Sequence, residues 1–495
     1  MDDELCWLPA LEQARRVRAG EVSAVELLQA HWARQQRLGP SLNAVVTTRL
    51  EAALAEAAQA DAERAGGRLR GPLHGVPITV KESFDVAGLP TTWGLEAQRT
   101  NVAMRHAVAV QRLVDAGAIV WGKTNVPVLL ADWQSFNPVY GTTRNPWDLE
   151  RSPGGSSGGA AAALAAGLTP LELGSDIGAS IRNPAHYCGV WGHKPTWGLV
   201  PMQGHELPGD ECADAIDIGV GGPLARNAAD LSLALDLLCE PLSAFGPMGR
   251  TPAAWRPDPL PLRRLRIAVM ADEPRAEVDA PVRQAIERLA DFFRREGLEV
   301  SLEARPVEAQ EAWQVYIALL RGALCGHMGD ADFAHAQAQA RALAEAGADP
   351  DEYPAIHWRA LTQTRRDWLR MDERRAVLRR RWAAFFERWD LLVTPVGATA
   401  AMRHDHQGMR WERMIPVNGR PQPQTTQLFW AGYPGAVGLP ATCVPLGLTP
   451  EGLPVGAQLI GPAFGDRTGL RVAQWLQAEF HGFQRPPMPW ATTGS

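Results

Sequence analysis

The sequence predicts an α/β fold with a mixed β-sheet, and three observations carry that prediction. Short apolar runs that read as buried strands alternate with helical segments through the first 120 residues, an alternation that lays helices against a sheet. Glycine and proline punctuate the boundaries between them. A chain of 495 residues with 46% hydrophobic content has enough apolar material for a large core.

The elements follow in order. Ser23-Ala24-Val25-Glu26 has capping-box spacing, and Val25, Leu28 and Trp32 form a helical stripe that Gly39-Pro40 is expected to end. Asn43 to Thr48 reads as a strand, and Glu51 to Ala65 as a helix stopped by Gly66-Gly67. Val76 to Val80 is a buried strand that delivers Lys81-Glu82 at its end, an unusual place for a lysine. A helix over His106 to Asp115 and a strand over Ala118 to Trp121 continue the alternation. From Pro153 to Trp197 small residues dominate around an alanine-rich helix, so backbone geometry outweighs side-chain bulk there. Between about 272 and 388 the chain turns to charged, helix-favouring segments, whose arginine runs Arg374-Arg375 and Arg379-Arg380-Arg381 read as solvated faces. Trp389 to Pro395 and Ala441 to Pro445 return to short buried strands closed by proline.

Composition excludes several functions. A net charge of -6 leaves no basic excess for a phosphate backbone, so no nucleic-acid partner is expected. The acidic start Met1-Asp2-Asp3-Glu4 lacks the cationic and apolar regions of a secretory signal, and no apolar run reaches membrane-spanning length. Cys6, Cys188, Cys212, Cys239, Cys325 and Cys443 show no C-x-x-C spacing, which points away from zinc and from a disulfide framework and towards a reduced, cytoplasmic setting. Eighteen tryptophans are many for this length. They either fill the core or line an apolar substrate pocket, for which Trp191, Trp197 and Phe429-Trp430 are candidates.

Two motifs mislead. Gly117 to Thr124 matches the P-loop expression, but a helix precedes Gly117, the intervening residues are an apolar strand, and Pro127 follows, so a nucleotide cofactor is not expected. Gly154-Gly155-Ser156-Ser157-Gly158 fits the nucleophile elbow, yet Asn145 to Pro153 before it is a polar loop. Nor is any of His186, His193, His205, His404 or His406 marked as an elbow's partner; each reads as a surface or hydrogen-bonded structural histidine. A Ser/Lys chemistry remains. Serine needs a neighbouring base, and a lysine serves as one only when neutral, which burial at the end of a hydrophobic strand favours.

The pattern around Lys81 resembles the amidase signature family. The matching blocks are Gly71 to Pro77 leading to Val80-Lys81-Glu82, Gly122 to Asn125, Pro153 to Gly159, Gly174 to Pro184, Cys188 to Thr196, Gly222 to Arg226, Asp390 to Pro395, and Gly438 to Gly461. The resemblance implies a single domain over 1–495: a central twisted mixed β-sheet covered by helices on both faces, with core signature at about 70–230, helical, substrate-shaping insert at about 272–420 and core return at about 421–480. It implies a triad of Ser180 as nucleophile, Ser156 as relay held through a cis peptide, and Lys81 as base, with an oxyanion hole from the backbone N–H groups of Ile177, Gly178, Ala179 and Ser180. Ser157, Asp176 and Arg182 match supporting positions. Ala179 departs from the family, which more often has glycine there; alanine is costly if that residue takes a positive φ. The implied activity is hydrolysis of a small-to-medium apolar or aryl amide, with ester or carbamate cleavage alongside. No cofactor or metal is implied, and the partner is the small-molecule amide, with a homodimer as one assembly to test. The alternative is the glutaminase subunit of a tRNA-dependent transamidation complex, whose usual Pro-Thr-Tyr-Gly stands here as Pro195-Thr196-Trp197-Gly198.

Overall fold

The computed structural model describes residues 3–207, 216–239 and 261–492. Eleven strands join in one sheet: β1 Val45–Thr48, β2 Pro77–Lys81, β3 Ile119–Thr124, β4 Leu171–Asp176, β5 Trp191–Lys194, β6 Val220–Ala225, β7 Arg266–Val269, β8 Glu299–Ser301, β9 Leu391–Pro395, β10 Ala441–Leu448 and β11 Pro454–Ile460. Their order across the sheet is β1-β3-β2-β4-β6-β5-β10-β11-β9-β7-β8. The trios β3-β2-β4 and β9-β7-β8 are parallel and the other neighbours antiparallel, so the sheet is mixed, as expected. The stretch between 272 and 420 is rich in helix and also contributes β8 and β9 to this sheet. Helices Gly158–Ala165 and Arg182–Cys188 pack on each other and on the strands, as do Ala228–Leu238 and Asp466–Glu479, giving the sheet its helical cover.

Local chemistry explains most boundaries. Ser23 Oγ accepts from Glu26 N–H at 3.0 Å while Ser23 N–H donates to Glu26 Oε2 at 2.8 Å, closing the capping box. The helix it starts does not end at Gly39-Pro40 but runs to Leu42. Proline in a last turn removes only one bond, and Asn43 then caps the helix at φ 51°, its N–H donating to Gly39 O at 2.7 Å. Likewise β10 is not closed by Pro445 but continues to Leu448, because the register shift between Pro445 and Gly447 is a bulge where a missing N–H is tolerated. Every residue of the helix Gly158–Ala165 is buried. Its glycines and alanines permit close approach: a Cβ on Gly159 would stand 2.3 Å from Asn125 N.

The cysteines at 6, 188, 239, 325 and 443 are free thiols, and Cys212 lies outside the described residues. No helix among the described residues is long and apolar enough to cross a membrane. Because β2 and β4 are parallel neighbours paired through Val80 and Leu173, their C-terminal ends emerge at the same edge of the sheet. Such an edge is where α/β proteins gather ligand-binding groups.

Candidate active site

Lys81 ends β2 with no exposed surface. Its Nζ lies 2.7 Å from Ser156 Oγ, 2.9 Å from Ser175 Oγ and 3.4 Å from Ser175 O. Burial drives its pKa down to about 7, against the opposing charges of Asp176, Glu172 and Glu82. A neutral amine with a lone pair facing a hydroxyl is therefore well populated near neutral pH. Lys123, the P-loop-like lysine, sits inside β3 and spends its Nζ on Pro90 O at 2.6 Å and Thr91 Oγ1 at 2.9 Å. It braces a loop.

Ser156 follows an irregular loop rather than a strand, and the Gly155-Ser156 peptide is cis. Gly155 is required sterically: a Cβ there would stand 2.3 Å from Asp132 O. Ser157 ties this loop to its neighbours, its N–H donating to Ser180 O at 3.0 Å and its Oγ donating to Ser175 O at 3.3 Å.

The turn from Asp176 to Arg182 is organised by one carboxylate. Asp176, buried at the end of β4, accepts from Ala179 N–H at 2.9 Å, Ile181 N–H at 3.1 Å, Arg182 Nε at 3.0 Å and Arg182 Nη2 at 2.9 Å. Burial, the largest influence, would raise its pKa; the Arg182 guanidinium, the Lys194 charge and the Ile181 N–H together outweigh it and hold the pKa below the usual value. Arg182 reaches on to Gln458 Oε1 at 2.8 Å and Ala431 O at 3.1 Å, locking the turn to β11. Ala179 does take a positive φ, 66°. That conformation costs an L-residue about 1–2 kcal/mol, and the surrounding bonds, including Asn183 N–H to Ala179 O at 2.6 Å, enforce it. The four N–H groups expected to serve as oxyanion donors differ in this geometry. Ala179 N–H is committed to Asp176, whereas the N–H groups of Ile177, Gly178 and Ser180 have no acceptor among the described residues.

Two side chains that sequence reasoning missed hold the outer side of this turn. Tyr316 Oη donates to Ile177 O at 3.0 Å, and Trp133 Nε1 donates to Gly178 O at 2.7 Å. Neither lies near the turn in sequence, so no local signal marks them. His205, which reads from the sequence as a surface or hydrogen-bonded structural histidine, is hydrogen-bonded, its Nε2 3.0 Å from Ser83 Oγ and 2.9 Å from Ser175 Oγ, and it also forms part of the cavity wall. Burial and the nearby Lys81 charge hold its pKa down to about 3, so it stays neutral.

Ser156 and Ser180 open onto one cavity of about 710 Å³, its solvent-filled mouth included. Ser180 is 5% exposed, and its hydroxyl has no hydrogen-bond partner among the described residues. The cavity's tryptophans are Trp93 and Trp133. Trp191, Phe429 and Trp430, candidates for a pocket by sequence, are core residues, and Trp197 stands behind the cavity wall, its Nε1 donating at 3.2 Å to the carbonyl of the lining residue Ile216.

Known proteins agree with this architecture. The sequence profile of the Amidase family matches residues 26–470. The chain is 33% identical over 482 residues to an indoleacetamide hydrolase of Bradyrhizobium diazoefficiens, covering 94% of this chain and 86% of that protein. It is 32% identical over 509 residues to a glutamyl-tRNA(Gln) amidotransferase subunit of Anaeromyxobacter sp., covering 98% and 99%. The structure of a 6-aminohexanoate cyclic dimer hydrolase complexed with substrate superposes with a TM-score of 0.76 at 26% identity, covering 98% of this chain and 99% of that one. The chain belongs to the amidase signature family and is a hydrolase of amide carbon–nitrogen bonds.

Proposed function

We propose that the enzyme cleaves a small-to-medium apolar or aryl amide through an acyl-enzyme on Ser180. The observation that carries this reading is the buried Lys81 amine 2.7 Å from Ser156 Oγ, beside a free Ser180 hydroxyl in one apolar-walled cavity. Neutral Lys81 accepts a proton from Ser156 as Ser156 accepts one from Ser180, and Ser180 Oγ bonds to the carbonyl carbon. The tetrahedral oxyanion is held by the N–H groups of Ile177, Gly178 and Ser180. Collapse breaks the carbon–nitrogen bond, the proton returning through Ser156 to the leaving amine. Water then repeats the sequence against the acyl-enzyme and restores Ser180. Ser157, Asp176 and Arg182 hold the two loops in place.

A fluorophosphonate probe is expected to label Ser180, and a panel of amides, esters and carbamates to show amide turnover favoured by apolar or aryl groups. Absence of labelling in folded protein would sink the mechanism. The glutaminase reading has full-length likeness to the amidotransferase subunit in its favour, but Leu320, Leu324 and Leu428 on the cavity wall suit an apolar chain better than glutamine. L-Glutamine in the panel decides between them.

Tyr316 is a positioning residue in this mechanism. By holding Ile177 O on one side of a planar trans peptide, it turns the Gly178 N–H of the same unit to the other. Tyr316→Phe is expected to lower kcat about tenfold with KM little changed, less than the ~10²–10³ typical of deleting a donor outright. A KM effect with unchanged kcat would contradict this role.

A further inference from the structure

Two guanidinium groups, those of Arg321 and Arg410, stand in the wall of the catalytic cavity. Arg321 and Arg410 line it together with Leu320, Leu324 and Leu428. Arg321 is only 4% exposed. Its Nη2 donates to Tyr353 Oη, its guanidinium lies 5.5 Å from the centre of that ring, and its buried Nε has no acceptor among the described residues. Neither arginine has a carboxylate at ion-pair distance among the described residues. The cavity's own carboxylates are already engaged, Asp176 by Arg182 at 2.9 Å and Asp132 by Arg413 at 2.6 Å. The two charges share a neighbourhood, since after burial both act to depress the pKa of His357. Burying a guanidinium without a counter-ion is unfavourable, and a planar fork of donors matches a carboxylate.

The helix that carries Arg321 sets a length scale for the ligand. Tyr316 and Arg321 belong to one helix, Ala309–Gly322, and Tyr316 touches the Ile177 carbonyl of the turn that ends at Ser180. Arg321 lies five residues further on, about 7.5 Å along the helix axis, so the reacting carbonyl and the guanidinium are separated on the scale of several methylenes, for which about five are taken as the test length.

We propose that Arg321 and Arg410 form a carboxylate-binding subsite, making the substrates amides that carry a carboxylate at the end of an apolar spacer of about that length. This rests on the amide-hydrolase reading of the same cavity. The apolar walls hold the spacer, and the arginines fix the end remote from the scissile carbonyl.

The test compares pimelic acid monoamide with heptanamide, which share chain length and differ by the carboxylate. Wild-type kcat/KM is expected to favour the monoamide by about tenfold or more, the scale of one or two charged hydrogen bonds. Ser180→Ala protein is expected to bind it more tightly by a similar factor in calorimetry. Arg321→Gln should erase the preference, and Arg410→Gln, at a half-buried position, should reduce it at least about threefold in well-folded protein. Equal or better turnover of heptanamide overturns the subsite and leaves the amidase reading intact, as does a preference that survives both substitutions. If neither compound is turned over and Ser180 resists fluorophosphonate, the mechanism fails, and the Ser180→Ala binding comparison still decides the subsite.

Discussion

Ser180→Ala is expected to lower kcat/KM by about 10⁴-fold or more while leaving the fold unchanged. Members of a nucleophile–base unit act together, so removing the nucleophile forfeits nearly all the advantage of the unit and leaves only what the oxyanion donors and binding supply. The fold survives because the Ser180 hydroxyl bonds nothing else among the described residues, and losing one oxygen there changes stability by about 0.5 kcal/mol or less. Steady-state kinetics on the best amide of the panel, with a thermal melt as control, measure both halves. Parental activity in the variant would end the assignment of Ser180. A large loss of Tm would make the kinetic loss uninformative about chemistry, which is why the melt belongs to the same experiment.

The second large effect concerns Lys81, for which activity and stability should move in opposite directions. Lys81→Met removes the proposed base and is expected to abolish turnover. It also removes a buried amine whose protonated form is disfavoured by burial, with a pKa near 7 in the fold against about 10.4 in the unfolded chain. Between those values the unfolded chain binds more protons than the native one, so the wild type gains stability as pH rises through that window. The penalty is fully present below about pH 7 and fades towards about pH 10.4. Replacing the amine by an apolar side chain of similar length should therefore raise stability at pH 7 by about 1–4 kcal/mol, less what Ser156 and Ser175 lose as partners. Denaturant melts across pH should show the two proteins converging at alkaline pH. In the wild type, kcat/KM should fall about tenfold per pH unit below about 7 as Lys81 protonates. A flat acid limb, or a variant less stable than the parent at every pH, would refute the assignment of a neutral buried base.

Much of this site is legible in the sequence because it is built from local backbone requirements. The strand before Lys81 is a run of apolar residues with a charge at its end, and β2 ends on that charge. The capping box at Ser23 is a four-residue motif. Rejection of the P-loop rests on neighbouring helix and strand signals, and Lys123 lies within β3. Proline misleads twice for the same reason: residue type says that an N–H is missing, but only the surroundings say whether that N–H was needed. At Pro40 the helix is already ending, and at Pro445 a bulge absorbs the loss.

By itself, the sequence determined the alternation of strands and helices, the glycine and serine blocks, and the placing of a lysine where burial would neutralise it. Those are properties of segments a few residues long, set by periodicity and by what glycine and proline permit. Only the tertiary structure decided which tryptophans face the cavity, that Ala179 adopts a positive φ while its N–H is taken by Asp176, and that Tyr316 and Trp133 brace the same turn. It also decided that Arg321 and Arg410, ordinary charges by sequence, line the same cavity as Ser156 and Ser180. Tyr316 lies 139 residues from the carbonyl it holds. Such contacts depend on the order in which the strands assemble, and no local pattern encodes that order.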